Sequence, residues 1–219
     1  MNLEISSIVR ELCPELKVAV LQCKVINSET SVELTNTLNA EILEIKTRYK
    51  MDEINKRPAI EATRAAYKKM GKDPNRYRPS AEALCRRIIR EIPVYRINTL
   101  VDIINVVSIR SGYSIGGFDV SKIQGTKLTL NVGSATDTFE AIGRGELNVE
   151  GLPLYKDEIG GIGTPTSDHE RTKITLETRE LLIIINAYNG MAGLQEAIDH
   201  SIFLLNEFAF LESYDLNLY

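Results

Sequence analysis

The sequence predicts an α+β fold, on three observations. Apolar residues recur at helical spacing through much of the first half. Strand-like alternation and glycine-marked turns take over from about residue 125. The two patterns are segregated, whereas a parallel sheet would interleave them as βαβ units. With 219 residues, 43% of them apolar and 26% charged, the chain is long enough to bury a core as one domain or two small ones.

The elements follow in order. Leu16–Ile26 is apolar, β-branched and partly alternating, so it reads as a strand, and Asn27–Ser31 punctuates it. Thr30 and Glu33 have the spacing of a capping box. Leu34, Leu38, Ile42, Ile45 and Tyr49 then recur at helical spacing, which predicts a helix to about Asn55, before Pro58. A second helix is expected over Ala59–Met70, stopping at Gly71. After the turn-forming stretch 72–79, Ser80 is placed to cap a third helix with Glu82 in its first turn and a buried stripe of Ala81, Leu84, Cys85, Ile88 and Ile89. Thr99 would cap a fourth over Leu100–Arg110, and Gly112–Asp119 reads as a loop. T-K-L-T-L-N-V from 126 alternates as a strand, and the unbroken apolar run Leu181–Asn186 reads as a buried one. Gly190 to about Phe210 closes the chain as an amphipathic helix in which His200 is a core or boundary residue.

Composition excludes several classes. No apolar stretch reaches the roughly 18 residues of a membrane span. Glu4, Arg10, Glu11 and Glu15 interrupt any signal-peptide core, so none is expected. Cys13, Cys23 and Cys85 form no C-x-x-C, and there are two histidines. A zinc site, a disulfide framework or another cofactor is therefore not expected, and a cytoplasmic location fits. The net charge of −4 is unevenly spread. Residues 46–96 carry 15 basic and 6 acidic side chains, net +9, whereas the segments before and after are −4 and −9. Such a block suits a phosphate backbone or, equally, ion-paired helix faces.

Local motifs discriminate little. Ser167, Asp168 and His169 are sequence neighbours, whereas a nucleophilic triad converges from distant segments, so a polar turn is expected. Gly160-Gly161-Ile162-Gly163 lacks the lysine of a P-loop; its glycines suit close backbone approach. Asp157-Glu158 beside it could bind an amine, position water or be solvated. Asp102 and Asn105 share a helix face and could hold a neighbouring loop.

Asn98–Ile123, N-T-L-V-D-I-I-N-V-V-S-I-R-S-G-Y-S-I-G-G-F-D-V-S-K-I, is more specific. It resembles the B3 segment of the B3/B4 domain of phenylalanyl-tRNA synthetase beta subunits, V-D-[IV]-T-N-Y-V followed by G-Q-P-L-H-A-F-D-x-D-K-[IL]. Val101, Asp102, Ile103, Asn105, Val107, Gly112, Phe118, Asp119, Lys122 and Ile123 fall in step. The glycine run at 160–163 is similar to the family's A-G-V-M-G-G loop, and Leu181–Tyr188 to the strand after it. M-G-K-D-P-N-R-Y-R-P-S before this region and T-S-D-H-E-R-T-K-I-T within it are similar to free-standing B3/B4 proteins, which lack an aminoacylation core.

The resemblance implies two packed sheets with helices outside. It also implies a division into 1–92, a strand and basic helical region packed on the core, and 93–219, the B3/B4-like core, together one compact unit. In the synthetase this domain hydrolyses misformed tyrosyl-tRNA. Here the family's threonine before the helix asparagine is Ile104, its histidine is Gly116, and its strand glutamate falls at about Ile185. An altered pocket is implied, lined by Asn105, Gly116, Asp157, Gly160 and Gly163. The expected partner is tRNA or an aminoacyl-tRNA end, met by Arg76, Arg78, Arg86, Arg87 and Arg90, with residual deacylation as an accompanying activity. The alternatives are a small amino-acid-like ligand with no RNA partner, or an interaction domain with a vestigial pocket.

Overall fold

In the computed structural model, which describes residues 1–219, the first half runs β1 (Asn2–Ile5), α1 (Ser7–Leu12), β2 (Lys17–Lys24), α2 (Val32–Arg48), α3 (Pro58–Lys69), α4 (Ser80–Ile89) and α5 (Thr99–Ser111). The second half supplies β3 (Ile115–Asp119), β4 (Lys127–Val132), β5 (Glu140–Ala141), β6 (Gly145–Glu146), β7 (Pro153–Lys156), β8 (Gly161–Gly163), β9 (Glu180–Ala187), α6 (Leu194–Phe208) and β10 (Ser213–Leu218). The expected α+β class is what forms. Two four-stranded sheets, in the orders β1-β4-β7-β8 and β10-β2-β9-β3, pack face to face.

The apolar runs of β2 and β9 explain the layering. Their alternate residues point to opposite faces. Ala19, Leu21, Cys23, Leu181, Ile183 and Ile185 face α2, α4, α5 and α6. Val18, Val20, Leu182 and Ile184 face Leu128 and Leu130 of β4, Tyr155 of β7 and Ile162 of β8. A sheet covered on both sides needs apolar residues at every position, which is why these strands show no clean alternation. Each sheet draws strands from both sides of residue 92: β1 pairs with β4, and β2 lies between β10 and β9.

Several local expectations shift. The first long helix is capped by Ser31, whose hydroxyl accepts from Leu34 N at 3.2 Å. The hydroxyl of Thr30, expected to form the capping box, instead donates to Asp102 Oδ2 at 2.7 Å. That helix ends at Arg48 rather than near Asn55, because Glu53 takes the Lys50 amide at 2.7 Å and starts a turn that leads into a 3₁₀ segment, Ile54–Lys56. Asn98, not Thr99, caps α5, accepting from Val101 N at 3.1 Å. Pro79 holds the cap position of α4, which leaves Ser80 as its first helical residue with a free side chain. The segment read as a loop at 112–119 contains β3, whose Gly116-Gly117 pair hides the strand pattern but pairs in register with Ile184 and Ile183.

The basic block divides in two. Arg57 is buried and donates to the carbonyls of Ile109 and Arg110, satisfying the C-terminal end of α5. Glu82, fully buried, pairs with Arg64 and Arg86, each at 2.7 Å, and so ties α3 to α4. Lys72 donates to the Asn148 and Glu150 carbonyls. These cations hold the fold together. The exposed remainder is available to solvent.

Candidate functional site

Between α4, α5, β3 and the loop 164–174 lies a cavity of about 500 Å³, within the range of small-ligand sites. Leu84, Ile97, Val101, Ile104, Ile115, Ile142 and Ile174 form its apolar wall. Ser80, Asn105, Ser108, Thr164, Thr166, Ser167, Asp168 and Lys173 bring polar groups to it. Several of these are already committed within the protein. Thr164 Oγ1 accepts from the amides of Thr166 and Ser167, Thr166 Oγ1 is bonded to Tyr67 Oη, and Ser108 Oγ donates to the Tyr113 carbonyl. The side chains of Ser80 and Asn105 have no such partner.

The cavity shares a border, its neck, with a second depression. Ser80, Leu84, Asn105 and Thr166 also border an open groove whose other residues include Arg78, Arg86, Arg87, Arg90 and Arg144. Amphipathic α4 is the common wall: Ser80 and Leu84 reach the cavity, while Arg87 and Arg90 lie on the groove alone. Arg78, Arg90 and Arg144 are exposed with no protein partner. Arg87 stacks on exposed Tyr95, 4.2 Å from the ring centroid, and its Nε donates to the Pro93 carbonyl. Arg86 is largely spent, on Glu82 and the Met51 carbonyl. Arg76 lies outside the groove residues, 5.7 Å from the Tyr77 ring centroid. Arg144, which the sequence did not single out, joins from the β5–β6 hairpin.

Asp168 is the one carboxylate on the cavity wall. Its Oδ2 accepts from Gly117 N at 3.1 Å, and no cation pairs with it. The side chain meets the cavity but is otherwise enclosed by protein. Desolvation there pushes its pKa up to about 7, only partly offset by the Gly117 bond. Gly116 and Gly163 pack beside it. A Cβ on Gly116 would stand 3.3 Å from Asp168 Oδ1 and 2.7 Å from Phe118 Cζ; on Gly163, 3.1 and 2.5 Å. These two glycines therefore make room for an aromatic ring and a carboxylate, and they lie behind the cavity wall, not on it.

The remaining expectations divide. Asn105 lines the cavity at its neck. Asp157 does not line it, and this is a correction. Its fully buried carboxylate is gripped by Arg171 at 2.9 and 3.0 Å and by the amides of Gln124, Ile159 and Gly160. Burial alone would raise its pKa, but the guanidinium and the amides outweigh that and hold it low. Asp157 is thus a loop clamp, and Gly160 closes its turn by returning a carbonyl to the Asp157 amide at 3.0 Å. Asp102 is buried and binds Thr30 Oγ1 and Ile97 N, a loop-holding role. The sequence neighbours Ser167, Asp168 and His169 form no triad: His169 Nδ1 accepts from Arg171 N, and its ring lies edge-on to Phe139. Of the family positions that differ here, Ile104 lines the cavity and Ile185 is fully buried in the core of β9.

Fold and site together define a two-sheet α+β domain with a cavity and a cationic groove that share four lining residues. The sequence pattern of the B3/4 domain matches residues 62–203, about two thirds of the chain, and the protein belongs to that family. Among solved structures, an N-terminal fragment of the phenylalanyl-tRNA synthetase beta-subunit from Pyrococcus horikoshii is similar at 14% identity with a TM-score of 0.48. That likeness covers 94% of this chain and 48% of the other, so the chain spans about half the length of that fragment. No curated protein matches. No helix is long and apolar enough to cross a membrane.

Proposed function

We propose that the protein binds the aminoacylated 3′ end of a tRNA as one compact unit, with the nucleotides in the arginine groove and the aminoacyl group in the cavity. The observation that carries this reading is the shared neck: Asn105, Ser80, Leu84 and Thr166 border both spaces. A ligand with an anionic extension on one side and a small, partly apolar group on the other matches that division. Family membership points the same way, because B3/4 domains resemble the tRNA-handling part of a synthetase. Arg87 stacked on Tyr95 offers a flat cationic surface suited to a nucleobase.

In this arrangement the ester bond lies at the neck. Asn105 and Ser80, free of internal partners, are placed to donate to a developing oxyanion or to hold a water. Ester hydrolysis is the reaction such a neck supports, since an aminoacyl ester is activated enough to need only a positioned water and a stabilised oxyanion. The altered wall, with Ile104 where the family's threonine stands, favours an acyl group other than tyrosyl.

The test is deacylation of a panel of aminoacyl-tRNAs, with binding of uncharged tRNA measured in parallel. The expected result is binding that weakens steeply with salt, and hydrolysis of some panel members that drops at least tenfold in Asn105→Ala while binding of uncharged tRNA persists. Binding without hydrolysis would leave a tRNA-binding module. Absence of both would remove the RNA reading in favour of a small amino-acid-like ligand.

A further inference from the structure

We infer that Asp168 anchors the protonated α-amino group of the ligand, so that the cavity accepts an aminoacyl group with a free amine and rejects one that is N-blocked. This deepens the tRNA-end reading above and rests on it for the source of the amine. Four observations lead here. Asp168 is the sole carboxylate on the wall, and no cation in the protein pairs with it. Lys173, the one basic residue on that wall, is already bonded to Glu170. Asp168 Oδ2 accepts from the amide of Gly117, itself on the cavity wall, while Oδ1 has no donor in the protein. The carboxylate is thus held in place by one amide and keeps accepting capacity to spare.

Position argues for the α-amine in particular. Asp168 grips Gly117, whose Cα packs so closely on Ile104 that a Cβ there would stand 2.3 Å from Ile104 Cδ1. Ile104 precedes Asn105 on α5, and Thr166, which borders the groove, is two residues from Asp168. Asp168, Gly117 and Ile104 line the cavity and not the groove, so the carboxylate lies on the cavity side of the neck, where in the proposed pose the aminoacyl group sits. An ammonium is the one cation every aminoacyl ester carries, whatever its side chain. An unpaired carboxylate gains most from a cation that also donates hydrogen bonds. The same charge repels a free α-carboxylate, which disfavours the unesterified amino acid.

The experiment uses the full chain, wild type and Asp168→Asn, which keeps an acceptor for the Gly117 amide and removes the charge. Binding is measured for a panel of amino-acid amides, for their N-acetyl counterparts and, separately, for uncharged tRNA. Circular dichroism checks that the variant folds. The inference requires that wild type prefer at least one free-amine amide over its N-acetyl form by about tenfold or more, and that Asp168→Asn lose this preference. Equal binding of both forms, no binding of either, or a preference surviving in Asp168→Asn overturns it. So does a preference confined to lysine and arginine amides that persists after N-acetylation, which would assign the carboxylate to a side-chain cation. If the amide preference holds and tRNA is not bound, the inference stands and the RNA reading falls. If tRNA is bound and no amide is preferred, the reverse is true.

Discussion

Two aspartates eleven positions apart meet opposite fates, and the reason lies in what surrounds each carboxylate. Asp157 is enclosed with a guanidinium and three backbone amides, so burial is compensated. Asp168 is enclosed with one amide and no cation, so its ionisation is disfavoured and its pKa rises to about 7. The folded state therefore binds more protons than the unfolded chain from about pH 4 to 7. Stability must fall as pH rises through that window. Replacing Asp168 with Asn removes the slope: denaturation midpoints across pH 4–8 should show the variant gaining on wild type by a few kcal/mol toward pH 8. Parallel curves would sink the assignment. The sequence pointed to Asp157 because Asp157-Glu158 adjoins a glycine run. It passed over Asp168 because enclosure by Gly116, Gly117 and Gly163 depends on strands far apart in the chain.

The helix α4 turns one local pattern into two environments. Its first turn brings Ser80 and Leu84 to the cavity, and its later arginines face the groove. Buried Glu82 fixes its roll by pairing with Arg64 on α3 and Arg86 one turn on. Glu82→Ala would leave two inward-facing guanidinium groups without their counter-charge. A loss of about 3–5 kcal/mol in urea unfolding is expected. A drop below 1 kcal/mol would show that the pairs merely coexist with α4. On the strand side, Gly163→Ala forces a methyl against Phe118 at 2.5 Å. The expected cost is about 1–3 kcal/mol, again read by urea unfolding, with Gly143→Ala as the uncrowded but positive-φ comparison. Helices α2 to α6 were legible because their apolar stripes repeat at 3.6 residues. The strand β3 was not, since two glycines erase its side-chain pattern. Nor were β1 and β10, short edge strands recognisable only by the partners they pair with.

Across the whole molecule, chain connectivity binds the two sheets into one unit. Because β2, from the first quarter, is the central partner of β9 and β10, no cut near residue 92 leaves either sheet intact. Unfolding should accordingly follow one transition, with fluorescence of the tyrosines and far-ultraviolet dichroism coinciding. Charge distribution supplies the other global property. An acidic protein of net charge −4 gathers three partner-free arginines, Arg78, Arg90 and Arg144, in one groove beside the cavity, which gives attraction to a polyanion a local focus. Arg57, Arg64, Lys72 and most of Arg86 are internally satisfied and contribute little to it. The net +9 of residues 46–96 thus overstates the available cationic surface, while Arg144, outside that block, adds to it. The decisive variant is therefore Arg78→Ala/Arg90→Ala/Arg144→Ala, three exposed groups without structural partners. If each meets one phosphate of a single-stranded tRNA end, removing all three should lower the slope of log affinity against log salt by about 2. Affinity should fall while the unfolding midpoint stays in place. An unchanged slope would mean that the groove does not hold the RNA, whatever the cavity binds.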